Sequence, residues 1–145
     1  MKKIRHTGIY VSDMEAMKRF YCETFGMSIS VDTIEEGKYI ETVLGYPNIR
    51  INVCKLSFDD ETMIELIKVI GRDVNGTVKN DIYDLGITHI AFTVGSVREM
   101  YSRLSEEKLS FISEPIVSDD GGAMVCFCRD PEGNYLELVE ELKGN

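Results

Sequence analysis

The sequence predicts an α+β fold made of two tandem βαβββ modules. Three observations favour this fold class: a β-type segment with a central histidine occurs twice, each copy runs into an amphipathic helix, and three β-type runs follow each helix. The first copy is "IRHTGIYV", residues 4–11, and the second is "ITHIAFTV", residues 87–94. The two histidines of the chain, His6 and His89, hold the same position in the two copies, 83 residues apart.

The repeat defines the expected organisation of the chain. Module one is expected at about residues 1–70 and module two at about residues 87–145. The connector between them, about residues 71–86, lacks a sustained hydrophobic period and contains three glycines. Because 145 residues is the size of one ordinary domain, we expect a single domain over residues 1–145.

The first helix is expected directly after the first strand. Ser12 and Glu15 have the spacing of a capping box, and Gly26 supplies a stop. The apolar face of this helix consists of Met14, Met17 and Tyr21.

The second helix repeats this design. Ser96 and Glu99 have the same capping-box spacing. Its apolar face consists of Val97, Met100 and Leu104.

The remaining strands come in two sets of three. The predicted strands are residues 27–34, 49–58 and 62–70 in module one, and residues 110–117, 123–129 and 134–142 in module two. "RDPEGN", residues 129–134, is typical of a tight turn because Pro131 fixes φ and Gly133 tolerates a positive φ. Residues 35–48 are an insertion in module one, and the pattern assigns no structure to them.

Composition and charge exclude several classes of protein. Hydrophobic residues make up 43% of the chain and charged residues 28%, which is typical of a globular protein without disorder. No run of 18 apolar residues and no signal-peptide pattern occurs, so we expect no membrane association and a cytoplasmic location. The formal net charge of −9 argues against binding to nucleic acid, which requires a basic surface.

The four cysteines are scattered along the chain and do not form the dense framework of a disulfide-rich domain. We expect reduced thiols. Cys126 and Cys128 share one strand face, and without a second close pair of cysteines or a third histidine they are better explained as core residues than as metal ligands.

Strand alternation selects the residues that could carry chemistry. Residues two apart on a strand face the same way. His89 therefore lies on a face with small or polar neighbours, whereas Ile90 and Phe92 lie on the bulky face that suits packing under a helix. The last strand of each module carries one glutamate between apolar residues, Glu65 in "TMIELIK" and Glu137 in "NYLELVE".

Each of these histidines and glutamates alone is an ordinary strand residue, but their joint occurrence in both modules is unusual. Each module offers one histidine on its first strand and one glutamate on its last. Two such carboxylates left unpaired in a partly buried cleft would cost several kcal/mol each. Two imidazoles and two carboxylates suit one divalent ion of zinc, nickel, cobalt, manganese or iron rather than calcium.

The segments "RHTGIYVSDMEAMKRFYCETFGM", "THIAFTV" and "DPEGNYLELVE" resemble the vicinal oxygen chelate superfamily, which includes glyoxalase I. The resemblance covers essentially the whole chain. It implies a half-open, cup-shaped, antiparallel-rich sheet with helices on the outside. It also implies metal ligands at His6, Glu65, His89 and Glu137, the residues that strand alternation selects.

The fourth ligand favours one branch of the superfamily. Fosfomycin-modifying and extradiol-dioxygenase relatives use two histidines and one glutamate, and acyl-CoA epimerase relatives usually have glutamine at the position of Glu65. The resemblance therefore implies a metal-dependent lyase or isomerase of the glyoxalase I type, similar to lactoylglutathione lyase. Such an enzyme abstracts a proton next to a carbonyl and stabilises an enediolate on the metal. The alternatives are an acyl-CoA epimerase-like enzyme and a non-catalytic small-molecule binding or resistance protein.

The roles of the residues follow from this mechanism. Glu137 or Glu65 would be the catalytic base, and His6 and His89 would serve only as ligands, each needing a partner for its other ring nitrogen. The partner is expected to be a small-molecule substrate of unknown identity, and Arg5, Arg50 and Arg129 are candidate clamps for an anionic group, although each is more easily explained as a surface charge. Because a small sheet with exposed edges benefits from burying them, and relatives commonly pair modules, we expect a homodimer.

Overall fold

The computed structural model describes residues 3–72 and 81–142. The chain divides into two compact units, Met1–Gly76 and Thr77–Asn145. Each unit contains one four-stranded mixed sheet, which confirms the predicted α+β fold class of two βαβββ modules. The single domain with a connector at residues 71–86 stays a prediction, and residues 73–80 of that connector lie outside the described residues.

The sheet of the first unit combines parallel and antiparallel pairing. Its elements are β1 (Thr7–Tyr10), α1 (Met14–Phe25), β2 (Ser28–Glu36), α2 (Lys38–Leu44), β3 (Arg50–Ser57) and β4 (Met63–Val69). The strand order is β1-β4-β3-β2. The first strand runs parallel to the last, whereas β3 pairs antiparallel with both β2 and β4.

Helix α1 begins one residue later than the capping-box spacing predicts. Its N-cap is Asp13, not Ser12: Asp13 has an extended backbone, and its Oδ1 accepts a hydrogen bond from the Ala16 amide at 3.0 Å. A carboxylate caps a helix well and is also stabilised by the positive end of the helix dipole, which explains the choice. The predicted stop at Gly26 is confirmed by its φ of 72°, a left-handed conformation that costs glycine little.

The core of the first unit lies between α1 and one face of the sheet. The predicted apolar face of α1 is buried, as are the sheet residues that alternation places on the facing side: Met14, Met17, Tyr21, Cys54, Leu56, Ile64 and Leu66. Because strand residues alternate, Lys55 and Glu65 are directed to the opposite face.

The insertion contains a short helix that the sequence pattern did not assign. Helix α2 lies between Gly37 and Gly45, both with positive φ, and buries Ile40 against Ile51 and Val53. With only 7 residues it is too short to show a clear hydrophobic period. Since Val53 pairs with Ile67, two residues from Glu65, the helix packs on the same sheet face as this glutamate.

The second unit repeats the arrangement without the inserted helix. Its elements are β5 (His89–Thr93), α3 (Val97–Glu106), β6 (Ile116–Val117), β7 (Ala123–Arg129) and β8 (Tyr135–Glu141), and the strand order is β5-β8-β7-β6. The predicted Ser96 cap is confirmed, since its hydroxyl accepts from the Glu99 amide at 3.2 Å. The predicted turn is also confirmed: Gly133 has a φ of 95° and its amide donates to the Asp130 carbonyl.

The strand predicted at residues 110–117 is wrong over most of its length. Only Ile116–Val117 forms a strand, and an isolated bridge joins Phe111 to Cys128. Pro115 explains the interruption because it has no amide proton to donate and restricts the backbone of the residue before it. In the described residues, no helix is long and apolar enough to cross a membrane.

Candidate functional site

The first unit brings together His6 and Glu65. β1 pairs with β4 so that Gly8 lies opposite Glu65, and His6 lies two residues before Gly8. The His6 Nε2 and Glu65 Oε1 atoms are 3.6 Å apart, which is too long for a hydrogen bond. The Glu65 side chain is only 14% exposed.

The second unit brings together His89 and Glu137 by the same construction. β5 pairs with β8 so that Ala91 lies opposite Glu137, and His89 lies two residues before Ala91. The His89 Nε2 and Glu137 Oε2 atoms are 3.4 Å apart. In both units a small residue, Gly8 or Ala91, lies opposite the glutamate, and the histidine lies two residues before it on the same strand face.

The two pairs have different neighbours on the adjacent strand. Lys55 pairs with Glu65 in the register of β3 and β4, and its Nζ lies 3.3 Å from Glu65 Oε2. Phe127 holds the equivalent position opposite Glu137, and its ring meets the His89 ring edge-on at 5.1 Å between centroids. Sequence reasoning missed Lys55, although the same ten-residue spacing separates Lys55 from Glu65 and Phe127 from Glu137.

The second ring nitrogens of the two histidines also differ. His89 Nδ1 lies 2.9 Å from the Thr88 hydroxyl, so the second ring nitrogen of this imidazole has a hydrogen-bond partner. His6 Nδ1 is buried, and no described residue forms a hydrogen bond with it. The expected partner is therefore present for one histidine of the two.

The arginines considered as clamps contact other residues or are exposed. Arg50 forms an ion pair with Glu36 at 2.8 Å. Arg129 donates to the Gly133 carbonyl at 2.8 Å, hydrogen-bonds the Tyr135 hydroxyl and stacks over the Tyr135 ring. Arg5 is exposed near the start of the described chain. None of the three forms an ion pair with Glu65 or Glu137, although Tyr135, the partner of Arg129, lies opposite His89 in the register of β5 and β8.

The paired cysteines belong to the core. Cys126 and Cys128 are buried on the face of β7 that alternates away from Phe127. Burial raises the pKa of Cys126 to about 11 and that of Cys128 to about 12, so both thiols stay protonated near neutral pH. Since the thiolate is the form that binds metal, the raised pKa values agree with a core role.

The donor set of each pair fits a divalent metal. Two donors about 2.1 Å from one ion at a tetrahedral angle lie about 3.4 Å from each other. The distances of 3.4 and 3.6 Å between imidazole nitrogen and carboxylate oxygen are close to this value. Among the residues that the structure describes, no group of three or more histidine, cysteine or acidic side chains is close enough to hold an ion, so each pair supplies only two donors.

The comparison with known families assigns the fold. The sequence profile of the Glyoxalase/Bleomycin resistance protein/Dioxygenase superfamily matches residues 3–138. The chain belongs to this superfamily. The resemblance of the sequence to this group of proteins is thereby confirmed at the level of the superfamily.

Individual relatives carry different names. Lactoylglutathione lyase of Escherichia coli O157:H7 is 28% identical over 144 residues, 96% of this chain and 93% of that protein. The uncharacterized protein YwkD of Bacillus subtilis (strain 168) is 30% identical over 144 residues, 97% of this chain and 98% of that protein. The structure of a glyoxalase family protein from Bacillus cereus matches with a TM-score of 0.86 at 22% identity, covering 99% of this chain and 96% of that one, and shows the shared superfamily fold.

Proposed function

We propose that the protein is a metal-dependent enzyme of the glyoxalase I type that abstracts a proton next to a carbonyl group. The observation that carries this proposal is the repeated His–Glu pair, built in each unit at the same register of the parallel strands. A partly buried carboxylate is costly unless it is paired or binds a cation, and a divalent ion beside the imidazole would offset that cost in both modules. Relatives named lactoylglutathione lyase support the same reaction class.

His6, Glu65, His89 and Glu137 are the proposed ligands of one divalent ion, since four donors are the usual number for such a site. When bound, the ion supplies a Lewis acid that polarises the substrate carbonyl. The imidazoles act as neutral nitrogen donors, and the carboxylates offset the charge of the ion. Apolar residues beside Glu65 on its sheet face, including Ile67 and Val53 under α2, limit access of water to this carboxylate.

Glu137 is the proposed catalytic base. Glu65 has a polar neighbour at each oxygen, His6 at Oε1 and Lys55 at Oε2. Among the described residues, Glu137 has one ion-pair partner, His89 at Oε2, and the adjacent strand presents the apolar ring of Phe127. Oε1 of Glu137 is therefore better placed than either oxygen of Glu65 to accept a proton from the substrate.

The first prediction concerns metal content. Protein purified without chelator should contain about one divalent ion per chain by elemental analysis. Replacement of either imidazole, His6→Ala or His89→Ala, removes a nitrogen donor and should lower metal content severalfold at equal free metal. Cys126→Ala is the matched control, because it removes a potential donor from the other face of the sheet and should leave metal content unchanged. Equal metal in wild type and both histidine variants would exclude the site.

The second prediction separates the two glutamates. Glutamine keeps a carbonyl oxygen for the metal but cannot accept a proton, so Glu137→Gln should reduce turnover by a factor of roughly 100 or more while keeping its metal. Glu65→Gln should be milder in turnover and should mainly weaken metal affinity.

Both glutamine variants would be measured by metal titration and by solvent-deuterium exchange into a panel of α-hydroxy ketones and thioesters. Full exchange by Glu137→Gln with normal metal content would transfer the role of base to Glu65. Absence of exchange by the metal-loaded wild type across the panel would favour a non-catalytic binding protein.

We also propose that the chain forms a homodimer. Each sheet has an edge strand with exposed aliphatic residues: Ile29, Val31 and Ile34 on β2, and Ile116 and Val117 on β6. Covering such edges on a partner is a common way to protect them. Light scattering at micromolar concentration should give a mass about twice 16.4 kDa, and a mass near 16.4 kDa would contradict the dimer.

A further inference from the structure

Lys55 is the cation nearest to a proposed metal ligand in the first unit. It lies on β3 in register with Glu65, and its side chain, 25% exposed, is directed to the same sheet face. Its Nζ lies 3.3 Å from Glu65 Oε2, and within residues 3–72 and 81–142 this is its one ion-pair partner. An ammonium group has three donors, so this single contact leaves donors available to an incoming acceptor.

The fold itself does not require a lysine at this position. The second unit is built with the same register, and there Phe127 stands opposite Glu137 where Lys55 stands opposite Glu65. An apolar ring therefore suits the position structurally. The Lys55 side chain is only 25% exposed and so loses part of its hydration, and one contact at 3.3 Å compensates for that loss only in part.

Charge also distinguishes the two pairs. The carboxylate of Glu65 is offset by Lys55, whereas no lysine or arginine in the described part of the chain forms an ion pair with Glu137. If two carboxylates hold a divalent ion, the charge of the ion and the charges of the carboxylates cancel. The ammonium group of Lys55 then leaves an excess of one positive charge. In a chain with a net charge of −9, this local excess would attract an anionic ligand.

We propose that Lys55 determines the charge preference of the active site by binding a carboxylate of the substrate. The substrate class is then a small hydroxy or keto acid. Its carboxylate is ionised and lies beside the His6 and Glu65 pair. This inference rests on the proposed function, because it assumes that the substrate binds at that metal site. An ammonium group at this position recognises a carboxylate through charge-assisted hydrogen bonds.

The test uses cobalt-loaded protein and two probes. Oxalate is a dianion with vicinal oxygens, and imidazole is a neutral metal ligand that needs no ammonium group. Their affinities would be measured by visible absorption titration for wild type, Lys55→Met and Lys55→Arg. Lys68→Met is the matched control, because Lys68 lies on β4 but alternates to the opposite face from Glu65.

Lys55→Met should weaken oxalate binding roughly tenfold, equivalent to about 1.4 kcal/mol, and should leave imidazole binding unchanged. Lys55→Arg should retain most of the oxalate affinity, and Lys68→Met should behave as wild type. Equal effects of Lys55→Met on oxalate and imidazole, or no effect on either, would overturn the inference while leaving the metal site intact. Failure of the wild type to bind cobalt would instead overturn the proposed function and this inference with it.

Discussion

The parallel pairing of the first and last strands of each module determines where the polar side chains meet. This register places Gly8 opposite Glu65 in one unit and Ala91 opposite Glu137 in the other. A shift by one residue would direct each glutamate into the apolar core under its helix, because strand residues alternate between faces. The register is therefore a requirement both for the core and for the candidate metal ligands.

The helices maintain this register from the opposite face. Met17 and Tyr21 of α1, and Leu104 of α3, are almost completely buried, and each fully buried side chain of this size stabilises the fold by about 1.5–3 kcal/mol. The alternating sheet residues that they cover, such as Leu66 and Leu138, have no exposed surface. Because one face is closed by apolar packing, the other face is left for residues that would be costly to bury without a partner.

The repeat and the strand alternation were enough to predict the fold class and to select one histidine and one glutamate in each module. They depend on periodic features, which a sequence displays directly. The cap at Asp13 in place of Ser12 was missed because both residues suit an N-cap, and only the backbone conformation selects between them. The strand predicted at residues 110–117 is too long because its β-type composition does not show that Pro115 interrupts the strand.

The contact between Lys55 and Glu65 shows a different limit of sequence reasoning. It depends on the cross-strand register of a hairpin, which a single sequence does not specify. Comparison of the two modules at the level of structure reveals it, since Phe127 replaces the lysine at the same register in the second unit. The two modules thus share one construction for the histidine and glutamate but differ in the residue beside the carboxylate.

We propose that both histidines and both glutamates are ligands of one divalent metal ion. X-ray absorption spectroscopy of cobalt-loaded protein tests this claim most directly, because it reports the types of atoms bound to the metal. We expect scattering from two imidazole rings per cobalt ion, with the remaining ligands oxygen and no sulfur. Since the chain has only two histidines, fewer than two imidazoles, or any sulfur from a cysteine, would contradict the proposed ligand set.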